Sequence, residues 1–248
     1  TALFRNPGFD VSIAVIDTAA VMDHPDLLRS SLMTRNFAGR RGNPEEEQHG
    51  TAVVGLIAAI ASHDQGLNGA APGADVHLLR GCWQSAQGPG RCNTLTLALA
   101  LDAAIDLQPD ILNLSLTGRN DRFLDELLTI LLANGTLVIA AHDDERAPSA
   151  RFPLDHDGVV YAYGVADGEG VRTAISAPTP NLLFAPRHAV SLAPMGEYDL
   201  VSGHSIATPQ LAAMAARLIQ EESDHSRTDT INALQVWLNQ YYRRLPAE

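Results

Sequence analysis

The sequence has few cysteines, little positive charge and no long apolar run. Its 248 residues contain only Cys82 and Cys92, so a metal site built on cysteines cannot be completed, and their spacing is not that of a C-x-x-C redox motif. Lys and Arg number 17 against 29 Asp and Glu, which argues against a nucleic-acid partner because phosphate binding needs clustered cations. No apolar run approaches the length of a membrane span, so we expect no membrane partner.

The two cysteines flank a stretch rich in Gly, Pro and Gln, and two interpretations of them are open. A disulfide between Cys82 and Cys92 would close this loop and would indicate an oxidising compartment, with a secreted or periplasmic location favoured. The alternative is two unrelated thiols. The sequence begins at Thr1 with neither an initiator Met nor a signal peptide, so we expect a mature or trimmed chain.

Short aliphatic runs alternate with helical patterns, which is typical of a parallel sheet covered by helices on both faces. No linker divides the chain, so we expect a single domain over residues 1–248. The predicted fold class is α/β, with three αβα layers around a mostly parallel central sheet. The predicted strands are 11–16, 75–79, 111–116, 137–141 and 159–165, and the predicted helices are 51–61, 94–107, 121–133, 205–221 and 230–242.

Three residues in this pattern carry potentially reactive groups. Asp17 ends the first predicted strand, where a carboxylate either caps the following turn or works in a site, because sites form at the carboxyl ends of parallel strands. His49 precedes an apolar helix and, taken alone, is more often a cap or a surface residue than a base. Ser205 opens another apolar helix, where a serine is usually an N-cap. None of the three identifies a catalytic site by itself.

Taken together, Asp17, His49 and Ser205 have the residue types and the chain order of a catalytic triad. A serine hydroxyl is a poor nucleophile until an imidazole removes its proton, and the imidazole needs a carboxylate that fixes its tautomer and stabilises its cation. The order Asp, His, Ser is that of subtilisin, whereas the α/β-hydrolase motif requires Gly where Ala207 lies. The sequence therefore predicts a serine nucleophile with His49 as its base.

Five segments match one known family. They are Asp17-Thr18-Ala19 with His24-Pro25-Asp26-Leu27, His49-Gly50-Thr51 with Val53 and Gly55, Asn113-Leu114-Ser115-Leu116-Thr117-Gly118, Phe184-Ala185-Pro186, and Gly203-His204-Ser205-Ile206-Ala207-Thr208-Pro209. Through these segments the chain resembles the subtilisin-like serine proteases (subtilases, peptidase family S8). It departs from the family at Ala19, where Gly is usual, and at His204, where Thr is usual.

The resemblance implies a subtilisin-like fold and an endopeptidase that hydrolyses peptide or protein substrates through an acyl-enzyme. It also implies a substrate-binding segment made of Ser115, Leu116, Thr117 and Gly118, which would hold the peptide as an added β-strand through main-chain hydrogen bonds. The alternative for this segment is an ordinary core strand that ends in a turn.

Some relatives bind calcium near the positions of Asp26 and the loop 63–67. In this chain the loop offers only Asp64 and Gln65 as oxygen-bearing side chains, whereas calcium takes six to eight oxygen ligands. We therefore expect no metal and no other cofactor, with calcium beside Asp26 as the alternative.

One further departure concerns the oxyanion. The family usually places an Asn after Ala-Ala-Gly, and its amide helps to bind the oxyanion. Counting without gaps from Gly135 puts Asp144 at this position, with Asp143 in place of the preceding Gly. An ionised carboxylate has no hydrogen to donate and would repel a developing oxyanion, so only protonated Asp144 would serve. The alternative is that this loop is displaced and another group acts, while the backbone N–H of Ser205 remains a donor.

Two functions from different classes follow. The first is an active serine endopeptidase, slow or specialised for processing one precursor, and the second is a catalytically weak or inactive subtilisin-like scaffold that binds peptides or partner proteins. Presence of all three triad residue types favours the first, because a pure binder has no need of them. We expect a monomer in either case.

If Asp144 is the oxyanion residue, Asp144→Asn should raise turnover near neutral pH by up to about 100-fold, because the amide restores a donor. The wild type is handicapped there because His49 must be neutral while Asp144 must be protonated, and free groups of these types titrate at about 6.5 and about 4. Turnover of both proteins on one peptide, measured from about pH 4 to 9, tests this. Superimposable profiles would mean that Asp144 is not the oxyanion residue.

Overall fold

The computed structural model describes residues 7–84, 88–143, 151–154, 156–166, 181–221 and 227–244. Thirteen strands and five α-helices lie within these ranges. The strands are β1 Ser12–Asp17, β2 Leu32–Asn36, β3 Asp75–Arg80, β4 Cys82–Trp83, β5 Arg91–Cys92, β6 Ile111–Leu114, β7 Gly118–Arg119, β8 Leu137–Ala141, β9 Arg151–Phe152, β10 Val160–Val165, β11 Leu182–Pro186, β12 His188–Ala193 and β13 Glu197–Ser202. The helices are α1 Gln48–Ala58, α2 Thr94–Leu107, α3 Arg122–Ala133, α4 His204–Glu221 and α5 Arg227–Arg244.

Seven strands form one central sheet in the order β11-β10-β8-β6-β1-β3-β2, and every neighbouring pair is parallel. The register pairs Val15 of β1 with Leu78 of β3 on one side and with Asn113 of β6 on the other. Three antiparallel pairs lie outside the sheet, namely β4 with β5, β7 with β9, and β12 with β13. The α/β prediction of three layers around a mostly parallel sheet is confirmed.

Alternation along β1 explains why helices cover both faces of the sheet. Ile13 and Val15 belong to one buried cluster, whereas Ala14 and Ile16 belong to the other. Helices α1, α4 and α5 contribute to the first cluster, and α2 and α3 contribute to the second. A strand that is buried on both sides needs apolar residues at consecutive positions, which is why β1 reads as a continuous aliphatic run. In the described part of the chain, no helix is both long and apolar enough to span a bilayer.

Several predicted elements keep their boundaries and others shift. Helix α2 and strand β8 occupy the predicted residues, and α2 begins with the capping box of Asn93 and Thr96. Helix α1 begins three residues before the predicted start at Thr51, and β6 ends two residues before the predicted end at Leu116. Within the central sheet, strands β2 and β11 were not predicted. The Phe184-Ala185-Pro186 segment, one of the five that match the family, ends β11.

The two cysteines form a disulfide, which decides between the two interpretations of the sequence. Cys82 and Cys92 are joined with a Cα–Cα distance of 4.3 Å, and they face each other in the β4–β5 pair. The disulfide closes the loop that follows β3, with a sequence separation of 10 between the two cysteines. It holds this hairpin beside the carboxyl edge of the sheet.

Candidate active site

The candidate site lies where the order of the strands reverses. The chain adds β3 and β2 on one side of β1 and then adds β6, β8, β10 and β11 on the other side. Ligands of open α/β sheets bind at the carboxyl ends of the strands beside such a switch point. Asp17 is the last residue of β1, and Ser115 directly follows β6, so both lie at this point.

Asp17 and His49 are joined by a hydrogen bond of 2.8 Å between Oδ1 of the carboxylate and Nδ1 of the imidazole. The carboxylate accepts, so Nδ1 carries the hydrogen and Nε2 has the free lone pair that a base needs. Oδ1 also accepts the N–H of Thr18 at 2.7 Å, and the Asp17 side chain is only 3% exposed.

The pKa of His49 is raised above its ordinary value. Burial works in the opposite direction, because it disfavours the charged form of the imidazole, but the negative charge and the hydrogen bond of Asp17 outweigh it. The arrangement therefore stabilises the imidazolium that forms when His49 accepts a proton.

Gly50 explains how α1 comes close enough to β1 for this contact. A Cβ atom at position 50 would lie 2.5 Å from the carbonyl oxygens of Thr18 and Ala19, so a side chain there would push the helix away. The Gly50 N–H instead donates to Oγ1 of Thr18 at 2.8 Å. The glycine after His49 is therefore required by close packing, whatever the chemistry of the site.

Ser205 is the second residue of α4, since the helix begins at His204. The interpretation of Ser205 as an N-cap is therefore wrong. Ser205 lines the same cavity as Asp17 and His49, with a volume of about 760 Å³. In the described part of the chain, no hydrogen bond joins the Ser205 hydroxyl to His49. Such bonds are often long in enzymes without substrate and tighten when it binds.

The predicted substrate segment also borders this cavity. Ser115, Leu116, Thr117 and Gly118 all line it. Gly118 lies in β7, where it pairs with Phe152 of β9, so one edge of this segment is held by the protein itself. The core strand β6 ends at Leu114, directly before this segment.

Asp144, the predicted oxyanion residue, lies outside the described residues. Asp143, directly before it, is described and contacts the predicted substrate segment, since Thr117 donates its hydroxyl to Asp143 at 3.4 Å.

A buried charge cluster under α1 was missed by the sequence analysis. Glu47 and Arg80 are fully or almost fully buried, and Nη2 of Arg80 lies 2.5 Å from Oε1 of Glu47. The other carboxylate oxygen accepts the N–H of Ala19 and Nε–H of Arg80. The guanidinium also donates to the carbonyl oxygens of Gly39 and Arg41. A sequence signal existed in Arg80, which ends β3 directly after two buried leucines, Leu78 and Leu79.

Gln84 links this cluster to the first turn of α1. Its N–H donates to Oε1 of Glu47 at 3.2 Å, and its side-chain oxygen accepts the N–H groups of Gln48 and His49 at 3.2 and 3.4 Å. The first N–H groups of a helix have no partner within the helix, so Gln84 caps α1 from the disulfide hairpin. The cluster therefore fixes the backbone of His49 relative to β1 and β3.

The Asp26 carboxylate accepts hydrogen bonds from three groups of the protein. Oδ1 accepts the N–H of Ser62 at 2.7 Å, while Oδ2 accepts the N–H of Leu67 at 2.8 Å and the hydroxyl of Tyr198 at 2.9 Å. Burial works to raise the pKa of Asp26, but these hydrogen bonds outweigh it and lower the pKa. Within the described ranges, no group of three His, Cys, Asp or Glu residues could hold a metal ion.

Comparisons with known proteins show which family and which fold the chain resembles. The model of the subtilase family matches residues 8–239. The major intracellular serine protease of Bacillus subtilis (strain 168) is 27% identical, covering 97% of this chain and 78% of the relative. An intracellular serine protease of Paenibacillus polymyxa is 30% identical, covering 86% of this chain and 68% of the relative.

Among solved structures, a cold adapted subtilisin-like serine proteinase has the same fold, with a TM-score of 0.72 at 21% identity. The match covers 93% of this chain and 83% of the other. The prenylagaramide maturation protease PagA matches with a TM-score of 0.71 at 21% identity, covering 96% of this chain and 85% of that one.

Glu47→Gln should lower the free energy of unfolding by about 3–5 kcal/mol, because it leaves the buried charge of Arg80 without its partner. The double variant Glu47→Leu/Arg80→Met, which removes both charges, should be the more stable of the two. Urea unfolding measures both. The matched control is Glu126→Gln in the exposed Arg122–Glu126 pair, which should change stability by less than about 0.5 kcal/mol. Equal losses for Glu47→Gln and Glu126→Gln would contradict this account.

Proposed function

Because the chain belongs to the subtilase family and is a serine-type endopeptidase, we propose that Asp17, His49 and Ser205 form its catalytic triad. The observation that carries the proposal is the hydrogen bond of 2.8 Å between Asp17 and Nδ1 of His49, which leaves Nε2 as the base. Ser205 supplies the nucleophile from the first turn of α4, on the same cavity.

In this proposal Nε2 of His49 takes the proton of the Ser205 hydroxyl while Oγ attacks the carbonyl carbon of the scissile peptide. The imidazolium then gives its proton to the leaving amine, and an acyl-enzyme remains. Water, activated by the same imidazole, hydrolyses the ester and frees Ser205. Asp17 stays ionised throughout and stabilises the imidazolium. Activity requires neutral His49, so it rises as the pH passes through the raised pKa of this residue.

The oxyanion needs hydrogen-bond donors on the Ser205 side of the cavity. We propose the backbone N–H of Ser205 as one donor, because the first N–H groups of a helix have no intrahelical acceptor and lie at the positive end of its dipole. Asp144 remains the predicted second donor.

Peptide substrates would lie along residues 115–118, whose other edge is fixed by the pairing of Gly118 with β9.

A specialised processing role stays a hypothesis, as does the binding scaffold. The geometry favours catalysis over pure binding, because a scaffold gains nothing from a buried carboxylate that orients an imidazole toward a reactive cavity. Profiling of cleavage across a peptide library separates a narrow from a broad endopeptidase.

Ser205→Ala should abolish peptide hydrolysis and leave the melting temperature nearly unchanged, because the hydroxyl is not a helix cap and the residue is small. His49→Ala should lose as much activity, since the members of a triad act as a unit. Hydrolysis of a fluorogenic peptide measures both. Ser202→Ala, at an exposed position on β13, is the matched control and should keep full activity. Residual activity of Ser205→Ala equal to the wild type would remove Ser205 as the nucleophile.

We also propose that no calcium binds at Asp26, because three donors already point their hydrogens at its oxygens. If calcium bound at this site, a calcium concentration of about 100 times the dissociation constant would raise the free energy of unfolding by about 2.7 kcal/mol. The melting temperature should therefore be the same in EDTA and in excess calcium chloride. A rise with calcium in the wild type that is absent from Asp26→Asn would contradict the proposal.

A further inference from the structure

His204 precedes the proposed nucleophile and is buried at the start of α4. Its Nδ1 lies 2.8 Å from the backbone nitrogen of Gly164, a residue of β10. A backbone N–H can only donate, so Nδ1 of His204 is the acceptor, and the hydrogen of the neutral ring is on Nε2. This hydrogen bond joins the first residue of the helix to the central sheet.

The backbone around this bond leaves little room for adjustment. A Cβ atom at Gly164 would lie 3.1 Å from the carbonyl oxygen of Gly203, so β10 and the turn before α4 are packed closely. Gly203 has a φ of +144°, and its N–H donates to the carbonyl oxygen of Arg187. The turn is thus fixed on both sides of Gly203, by the main chain at Arg187 and by the side chain of His204.

The imidazole of His204 also packs against two other rings. The centroid of Tyr163 on β10 lies 4.6 Å away, and that of His142, directly after β8, lies 5.7 Å away. His142 and Tyr163 are themselves 5.1 Å apart. The three rings join the carboxyl ends of β8 and β10 to the first residue of α4. Movement of the His204 ring would therefore be transmitted to the backbone of Ser205.

We propose that His204 is a positioning residue that sets the orientation of Ser205 by holding the first turn of α4 on Gly164. This inference rests on the proposed role of Ser205 as nucleophile. The acceptor at the δ position of residue 204 is what matters, because it fixes the distance between α4 and β10. His204 takes no part in proton transfer, which belongs to His49.

Two substitutions separate the acceptor from the ring. His204→Asn keeps an acceptor oxygen at the δ position, whereas His204→Gln moves the acceptor one bond further from the backbone. His204→Leu keeps the bulk and removes the acceptor. Ala213→Gly, in the interior of α4, is the control for general loss of helix stability, because it weakens the helix without contact to residue 204.

The experiment measures kcat and KM on one peptide, the rate at which a fluorophosphonate labels each variant, and the exchange rate of the Gly164 amide hydrogen, all well below the melting temperatures. His204→Gln and His204→Leu should lower kcat and the labelling rate by about 10- to 100-fold with KM nearly unchanged, since small misplacements of reacting groups have effects of this size. In these two variants the amide hydrogen of Gly164 should exchange with solvent faster than in the wild type. His204→Asn should keep kcat within about threefold of the wild type, and Ala213→Gly should keep both kcat and the slow exchange.

The inference is overturned if His204→Leu keeps the wild-type kcat, or if His204→Asn loses as much as His204→Leu, because the acceptor would then not be the cause. It is also overturned if Ala213→Gly loses as much kcat as His204→Leu. Failure of the proposed function looks different, since Ser205→Ala would then keep its hydrolysis and its labelling whatever happens at residue 204.

Discussion

The buried ion pair of Glu47 and Arg80 is the interaction on which the geometry of the site depends. A carboxylate in the interior is stable only when each of its oxygens is satisfied, so its donors must stay in place. These donors include Ala19 after β1, Arg80 at the end of β3 and Gln84 on the disulfide hairpin. One buried anion thereby holds three segments of the chain around the first turn of α1, which carries the proposed base.

A division of tasks follows from this arrangement. The Glu47 cluster fixes the backbone that carries His49, and Asp17 fixes the imidazole itself. On the other side of the cavity His204 fixes the turn from which Ser205 acts. His49 and Ser205 therefore both lie in the first turn of a helix, and each of these turns is held by a side-chain hydrogen bond to another element, from Gln84 for α1 and to Gly164 for α4. The first N–H groups of α4 have no acceptor within the helix, which suits a site that must stabilise negative charge.

The sequence predicted the parts of the site that depend on local pattern. The sequence shows the aliphatic run that ends at Asp17 and the apolar helices that follow His49 and Ser205, because buried strands and helices need continuous apolar residues. Glu47 was not predicted, since the third of three consecutive glutamates looks like part of a solvated charged run and only the position of Arg80 makes it a buried group. Strand β2 was missed because four of its five residues are exposed, so it has no apolar pattern.

The central claim is that Ser205 is a nucleophile activated by His49, and the most direct measurement is to map where a fluorophosphonate attaches. The intact protein and His49→Ala are treated with the probe, digested and analysed by mass spectrometry. The account predicts a single adduct on Ser205 in the intact protein and almost none in the variant. An adduct on another residue, or equal labelling of Ser205 without the imidazole, would contradict it.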